Sequence, residues 1–161
     1  MSFFKKLFKE KKEQIVSLTN GELVDISQVP DEVFSTKMMG DGFAMKTVDG
    51  IIVSPVDGKI GTVFPTKHAI TINSADGREI LIHLGVDTVK LKGEGFEAFV
   101  KENQDVKAGD KLVKMDIDFI EKNAKSSMPI VIFTNLEGTE AVQIKEGSIT
   151  AGESNRIEIT K

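Results

Sequence analysis

The feature that most restricts this chain is the repeated interruption of short β-branched runs by glycine-containing reversals. From Ile15 onward these recur as Asn20-Gly21, Asp49-Gly50, Asp57-Gly58, Asp76-Gly77 and Gly109-Asp110. Such pairs supply positive-φ and aspartate-stabilised turn positions, and the segments between them suit strands better than long helices. The pattern predicts an all-β fold, an antiparallel β-sandwich or flattened barrel with at most one or two short helices. Residues 112–115, 130–133, 141–145 and 156–160 read as strands, and 117–124 as a short helix begun by Asp116 or Asp118. Asn20-Gly21 reads as a tight hairpin. Ser17-Leu18-Thr19-Asn20-Gly21-Glu22-Leu23 is echoed by Ser54-Pro55-Val56-Asp57-Gly58-Lys59-Ile60, which predicts an internally duplicated hairpin motif.

Composition narrows the function classes. With 161 residues, 40% hydrophobic and 29% charged, the chain is expected to form a single domain over residues 15–161. A net charge of −4, with no basic stripe among aromatics, argues against a nucleic-acid partner. The absence of cysteine removes disulfides and thiolate chemistry, and no apolar run reaches the roughly 18 residues of a membrane span. A cytoplasmic location is the expectation, and the start of the chain lacks the pattern of a secretory signal. Residues 1–14 stand apart: Lys5, Lys6, Lys9, Lys11 and Lys12 surround Phe3, Phe4, Leu7 and Phe8. They read as a flexible or amphipathic tail suited to peripheral contact with an anionic membrane.

Both histidines fall between Phe64 and Val89, on two β-rich runs flanking Asp76-Gly77. A hairpin there would set His68 and His83 opposite one another. Alternation places Ile80, Ile82 and Leu84 on one face of the second run, with Glu79, Leu81 and His83 on the other. His83 is therefore expected outside the main core. His68 shares parity with Ile70 and Ile72, so periodicity alone makes it a core histidine unless a bulge after Pro65 turns it.

In and around this stretch stand the motifs Phe64-Pro65-Thr66-Lys67-His68-Ala69, Ile82-His83-Leu84-Gly85-Val86-Asp87-Thr88-Val89, Leu91-Lys92-Gly93-Glu94-Gly95-Phe96, Val29-Pro30-Asp31-Glu32-Val33-Phe34 and Gly40-Asp41-Gly42. Together they closely resemble the glucose-type IIA phosphocarrier family of the bacterial sugar phosphotransferase system. The resemblance runs from about Gly21 to the C-terminus. It implies a carrier that takes a phosphoryl group from the protein HPr onto His83 Nε2 and passes it to a cysteine of a IIB domain. It further implies that the Gly85 carbonyl holds the proton on His83 Nδ1, that His68 stabilises the phosphoryl group, and that Thr66 is the hydroxyl partner of His68. Asp31 and Asp87 match carboxylates that engage an arginine of the donor. Val33, Phe34, Met38, Met39, Phe64 and Leu81 are candidates for an apolar partner-binding annulus. By residue type alone Phe34, Phe64, Met38 and Met39 fit a core equally well, whereas the family places Phe34, Phe64 and Leu81 on an exposed rim. No cofactor is implied and no metal is required, although two facing histidines could take up zinc incidentally.

Two other readings compete. Ala44-Met45-Lys46 followed by Ser54-Pro55-Val56-Asp57-Gly58 resembles the modified-lysine loop of biotinyl and lipoyl carriers, but the long insertion of residues 64–95 breaks that pattern. Zinc endopeptidases of related β-fold need three protein ligands, and the chain has only two histidines with no His-x-His pair.

Overall fold

A computed structural model of the chain describes residues 14–161. The amphipathic tail inferred for residues 1–14 lies outside that range except for Gln14. Ile15 is already buried and bridges Ile157.

The strands are β1 (Gly21–Asp25), β2 (Asp41–Thr47), β3 (Ile51–Val53), β4 (Gly58–Val63), β5 (Ala69–Ser74), β6 (Glu79–Val86), β7 (Phe96–Ala98), β8 (Asp105–Val106), β9 (Lys111–Met115), β10 (Ser126–Phe133), β11 (Ala141–Ile144), β12 (Gly147–Ile149) and β13 (Ile157–Thr160). Eight form one open antiparallel sheet in the order β12-β1-β2-β10-β6-β5-β4-β8, so the architecture is a sandwich and not a closed barrel. The sheets β3-β9-β7 and β11-β13 complete it. Among the described residues no helix is long and apolar enough to cross a membrane.

Helix is minor, as the turn density predicts. α1 (Glu32–Ser35) and α2 (Ile117–Asn123) are both opened by aspartate caps: Asp31 accepts from Val33 N at 2.8 Å and Asp116 from Phe119 N at 3.2 Å.

The duplication seen in the sequence is built into the hydrogen bonds. Ser17 Oγ donates to the Thr19 carbonyl at 2.8 Å, and Ser54 Oγ donates to the Val56 carbonyl at 2.7 Å. The two segments also bond each other reciprocally, Val16 N to Pro55 O at 2.8 Å and Val53 N to Leu18 O at 2.7 Å. Each receives a matching glycine turn, with Gly152 N donating to Ser17 O and Gly109 N to Ser54 O. The order of the large sheet is accordingly symmetric about its centre: β12 corresponds to β8, β1 to β4, β2 to β5 and β10 to β6. An approximate twofold axis passes between Val131 of β10 and Ile82 of β6.

Asn20-Gly21 does not form the expected hairpin. The chain enters β1 there, and the Asn20 side chain instead reaches Asp49 Oδ2 at 3.0 Å and accepts from Ala151 N at 2.8 Å. Its turn chemistry serves long-range pairing. Asp76-Gly77 does join paired neighbours, β5 and β6, but their register sets Ala69 opposite His83 and Ile70 opposite Ile82. The expected pairing of His68 with His83 is thus displaced by one residue.

Both faces of the large sheet bury apolar side chains. Ile80, Ile82 and Leu84 of β6 point into the main core with Phe43, Met45, Ile70 and Ile72. The opposite face gathers Leu81, Ala69, Ala44, Ile130 and Ile132 beneath Ile26, Val29 and Phe34 from the segment between β1 and β2. That segment is what covers the face carrying His83.

Candidate functional site

β6 presents His83 on the face opposite the main core, flanked in register by Ala69 on β5 and Ile130 on β10. Small Ala69 leaves space beside the ring. His68 directly precedes β5, and its carbonyl accepts from Leu84 N at 2.7 Å. A regular strand would therefore send the His68 side chain toward the core with Leu84. Lys67 breaks the alternation with a left-handed φ of 57°, after a turn closed by Lys67 N to Phe64 O at 2.7 Å. The His68 ring meets that of His83 edge-on, with centroids 5.2 Å apart and planes at 80°. The left-handed Lys67 turns His68 away from the main core that periodicity assigns it to, and the residue joins the histidine pair while only 7% exposed.

Each imidazole has a partner at Nδ1. His83 Nδ1 lies 2.7 Å from the Gly85 carbonyl, an acceptor only, so this nitrogen carries the proton and the Nε2 lone pair is left free. Gly85 has φ of 85°, and a Cβ there would lie 2.5 Å from the Ser126 carbonyl oxygen. Only glycine turns this carbonyl back onto the ring without a clash. Fully buried Thr88 supports the same turn by donating its hydroxyl to Leu84 O at 2.8 Å. The sequence reading omitted Thr88 as a supporting residue, although it stands within the same motif. Thr66 Oγ1 lies 2.5 Å from His68 Nδ1. If the hydroxyl donates, His68 carries its own proton on Nε2.

Burial lowers the pKa of His68, and the neighbouring His83 lowers it further. Burial also lowers that of His83, opposed by the Gly85 carbonyl and the negative charge of Asp31. Both rings are therefore neutral at neutral pH. A neutral imidazole with an available Nε2, beside a second ring able to donate a hydrogen bond, can take up an electrophilic group and stabilise charge on it.

The surrounding candidates divide. The Phe34 ring stands 4.9 Å from His83, and the Phe64 ring meets His68 edge-on at 5.6 Å. Val33, Met38 and Met39 are exposed, and Phe64 is half-buried. Phe34 and Leu81 correct the expectation of an exposed rim, being 6% and 9% exposed within the second apolar cluster. Phe34 is buried because its segment packs onto the sheet face, and Leu81 because that segment covers it, which strand alternation had no means of revealing. Asp31 caps α1, while Asp87 adopts a left-handed φ of 63° just beyond β6 and pairs with Lys90 at 2.8 Å.

The competing readings lose their footing here. Ala44-Met45-Lys46 lies within β2, with Ala44 and Met45 buried and Lys46 beside Glu22, so it forms no projecting lysine loop. Among the described residues no three or more His, Cys, Asp or Glu side chains converge in an arrangement that could hold a metal ion.

The family model for the phosphoenolpyruvate-dependent sugar phosphotransferase system, EIIA 1, matches residues 13–139. The glucose-specific EIIA component of Staphylococcus epidermidis is 43% identical over 163 residues, covering 98% of each chain. That of Bacillus cereus is 46% identical over 162 residues, with the same coverage. A glucose-specific EIICBA component of Staphylococcus carnosus is 50% identical over 133 residues, 83% of this chain and 20% of the relative. The solved glucose permease IIA from Mycoplasma capricolum superposes with a TM-score of 0.85 at 41% identity, covering 91% of this chain and 96% of that one. The chain belongs to the EIIA 1 family of the phosphoenolpyruvate-dependent sugar phosphotransferase system.

Proposed function

We propose that this chain is the IIA phosphocarrier of a glucose-type sugar uptake system, receiving a phosphoryl group on His83 from phospho-HPr and delivering it to a cysteine of a IIB domain. The observation that carries the reading is the hydrogen bond between His83 Nδ1 and the Gly85 carbonyl at 2.7 Å, which leaves the Nε2 lone pair available for nucleophilic attack. In the first step Nε2 forms a P–N bond as the P–N bond of the donor phosphohistidine breaks. In the second, the IIB thiolate attacks phosphorus and the His83 ring departs. His68, its Nδ1 accepting from Thr66, donates from Nε2 to the phosphoryl oxygens in both directions. Neutral rings suit both roles, since a protonated His83 has no lone pair to offer.

Asp31 and Asp87 meet an arginine of the donor, and exposed Val33, Met38 and Met39 with half-buried Phe64 form the docking rim. Phe34, from the covering segment, and Leu81, beside His83 on the same strand face, help hold the histidine pair in place. The system works without a cofactor, in the cytoplasm, and zinc held between His68 and His83 would be incidental.

The test is intact mass after incubation with phosphoenolpyruvate, enzyme I and HPr. One phosphoryl group is expected, labile in acid and stable in base. An unchanged mass with active partners, or an acid-stable phosphate, contradicts the reading.

A further inference from the structure

The chain has no cysteine, so its 6 methionines hold all of its sulfur. Their placement is uneven. Met45 and Met115 are buried in the main core and Met128 is partly buried in the second cluster, while Met1 lies outside the described residues. Met38 and Met39, by contrast, are 73% and 42% exposed.

These two belong to the segment that covers the sheet face carrying His83. They follow α1, whose Phe34 ring lies 4.9 Å from His83. The intervening turn is tied to α1 through Thr36 N to Glu32 O at 3.1 Å and Lys37 N to Phe34 O at 3.0 Å, and it is closed by Gly40 N to Lys37 O at 3.1 Å. Met38 and Met39 thus belong to the same small hydrogen-bonded unit that covers the site. With Val33 they leave an exposed apolar surface there.

We propose that Met38 and Met39 are an oxidant-sensitive modification site, at which conversion to sulfoxides by hydroperoxides weakens partner docking and slows phosphoryl transfer. The docking consequence rests on the function proposed above. In the reaction a thioether sulfur attacks the terminal oxygen of the peroxide, the O–O bond breaks, and the departing hydroxide or alkoxide takes up a proton. Sulfur loses two electrons, and hydrogen peroxide is reduced to water. The flexible apolar side chain becomes a polar, chiral one that fits poorly in a dry interface. Among the described residues, exposure favours these two sulfurs over buried Met45 and Met115, which give a peroxide no approach. The change is reversible through methionine sulfoxide reductases, one for each epimer.

The experiment treats the full chain with graded hydrogen peroxide, locates each added oxygen by peptide mass mapping, and measures phosphoryl acceptance against HPr concentration. Met38 and Met39 should oxidise before Met45 and Met115. The oxidised chain should need about tenfold more HPr for half-maximal rate, equivalent to roughly 1.4 kcal/mol of docking energy. The rate at saturation should be unchanged. Treatment with both reductases should restore the original profile, and Met38→Leu/Met39→Leu, compared with its own untreated HPr dependence, should show no further shift after oxidant. Oxidation of the core methionines first, or full oxidation of both rim residues with no change in the HPr dependence, overturns the proposal. Equal oxidant sensitivity in the leucine variant does so as well, because the damage would then lie elsewhere. If the untreated chain accepts no phosphate, the proposed function and the docking consequence fall together, while the peptide map still decides which sulfurs react.

Discussion

His68 and His83 have counterparts across the approximate twofold axis of the large sheet. Gly42 pairs with Ile132 as Ala69 pairs with His83, so Ile132 corresponds to His83 and Asp41 to His68. Ile132 packs into the second apolar cluster. Asp41 is occupied structurally, accepting from Gly42 N at 2.8 Å and Val142 N at 2.9 Å and lying 3.4 Å from Lys37 Nζ. The connections into the two counterpart strands also differ. Between β4 and β5 the chain makes the short turn that flips His68, whereas between β1 and β2 it makes the longer segment bearing α1. That longer connection places Phe34 over the other half's histidine. Duplication therefore supplies a stable frame twice, while two side chains and one unequal connection confine the candidate chemistry to one half.

The strongest way to break this comparison is His83→Ala. It should abolish phosphoryl acceptance, read by intact mass, while the duplicated frame persists and melts cooperatively by circular dichroism. Persisting acceptance would relocate the nucleophile. His68→Gln should come next: acceptance continues, but onward transfer to IIB falls about 10²–10³-fold, the usual cost of one preorganised donor. Equal loss of acceptance in both variants would show that the roles are not divided between the rings.

Gly85→Ala should destabilise the domain by about 1–3 kcal/mol, because the positive φ and the approach to Ser126 O both oppose a side chain. It should also slow acceptance by turning the carbonyl away from His83. A melt and a transfer rate matching the parent would show that this carbonyl does not need glycine.

The duplicated frame is tested by Ser17→Ala and Ser54→Ala. Each removes a buried hydroxyl donor from an equivalent carbonyl, so both should cost about 1–2 kcal/mol in urea unfolding. A large inequality would mean that the two motifs share a pattern but not an energetic role.

The smallest effect concerns pH. Burial holds both folded histidines below the ordinary value, so below about pH 6.5 the unfolded chain binds protons that the folded chain refuses. Stability from this source is complete above that pH and declines as acid approaches the lowered folded values. Thermal melts across this range should show the decline, and His68→Gln should reduce it. A decline of undiminished size in that variant would assign the acid sensitivity to other groups.

The sequence by itself determined the local chemistry. Turn residues marked an all-β chain, Asp116 or Asp118 marked a helix start that the fold assigns to Asp116, and the Ser17 and Ser54 segments exposed the duplication, because each acts through neighbours only a few positions away. Alternation along β6 placed Leu81 and His83 away from the main core. The Gly85 carbonyl as partner of His83 Nδ1 came from the family resemblance of the Ile82-to-Val89 motif and not from periodicity. Tertiary structure decided the rest. The one-residue displacement of the β5–β6 register depends on pairing across the whole hairpin, and the turn of His68 depends on the backbone of Lys67, which no period reports. Burial of Phe34 and Leu81 depends on a distant segment folding over a sheet face. Local turn and capping energies are encoded within a few residues, whereas register and burial are set by long-range contacts that compete over the whole sheet.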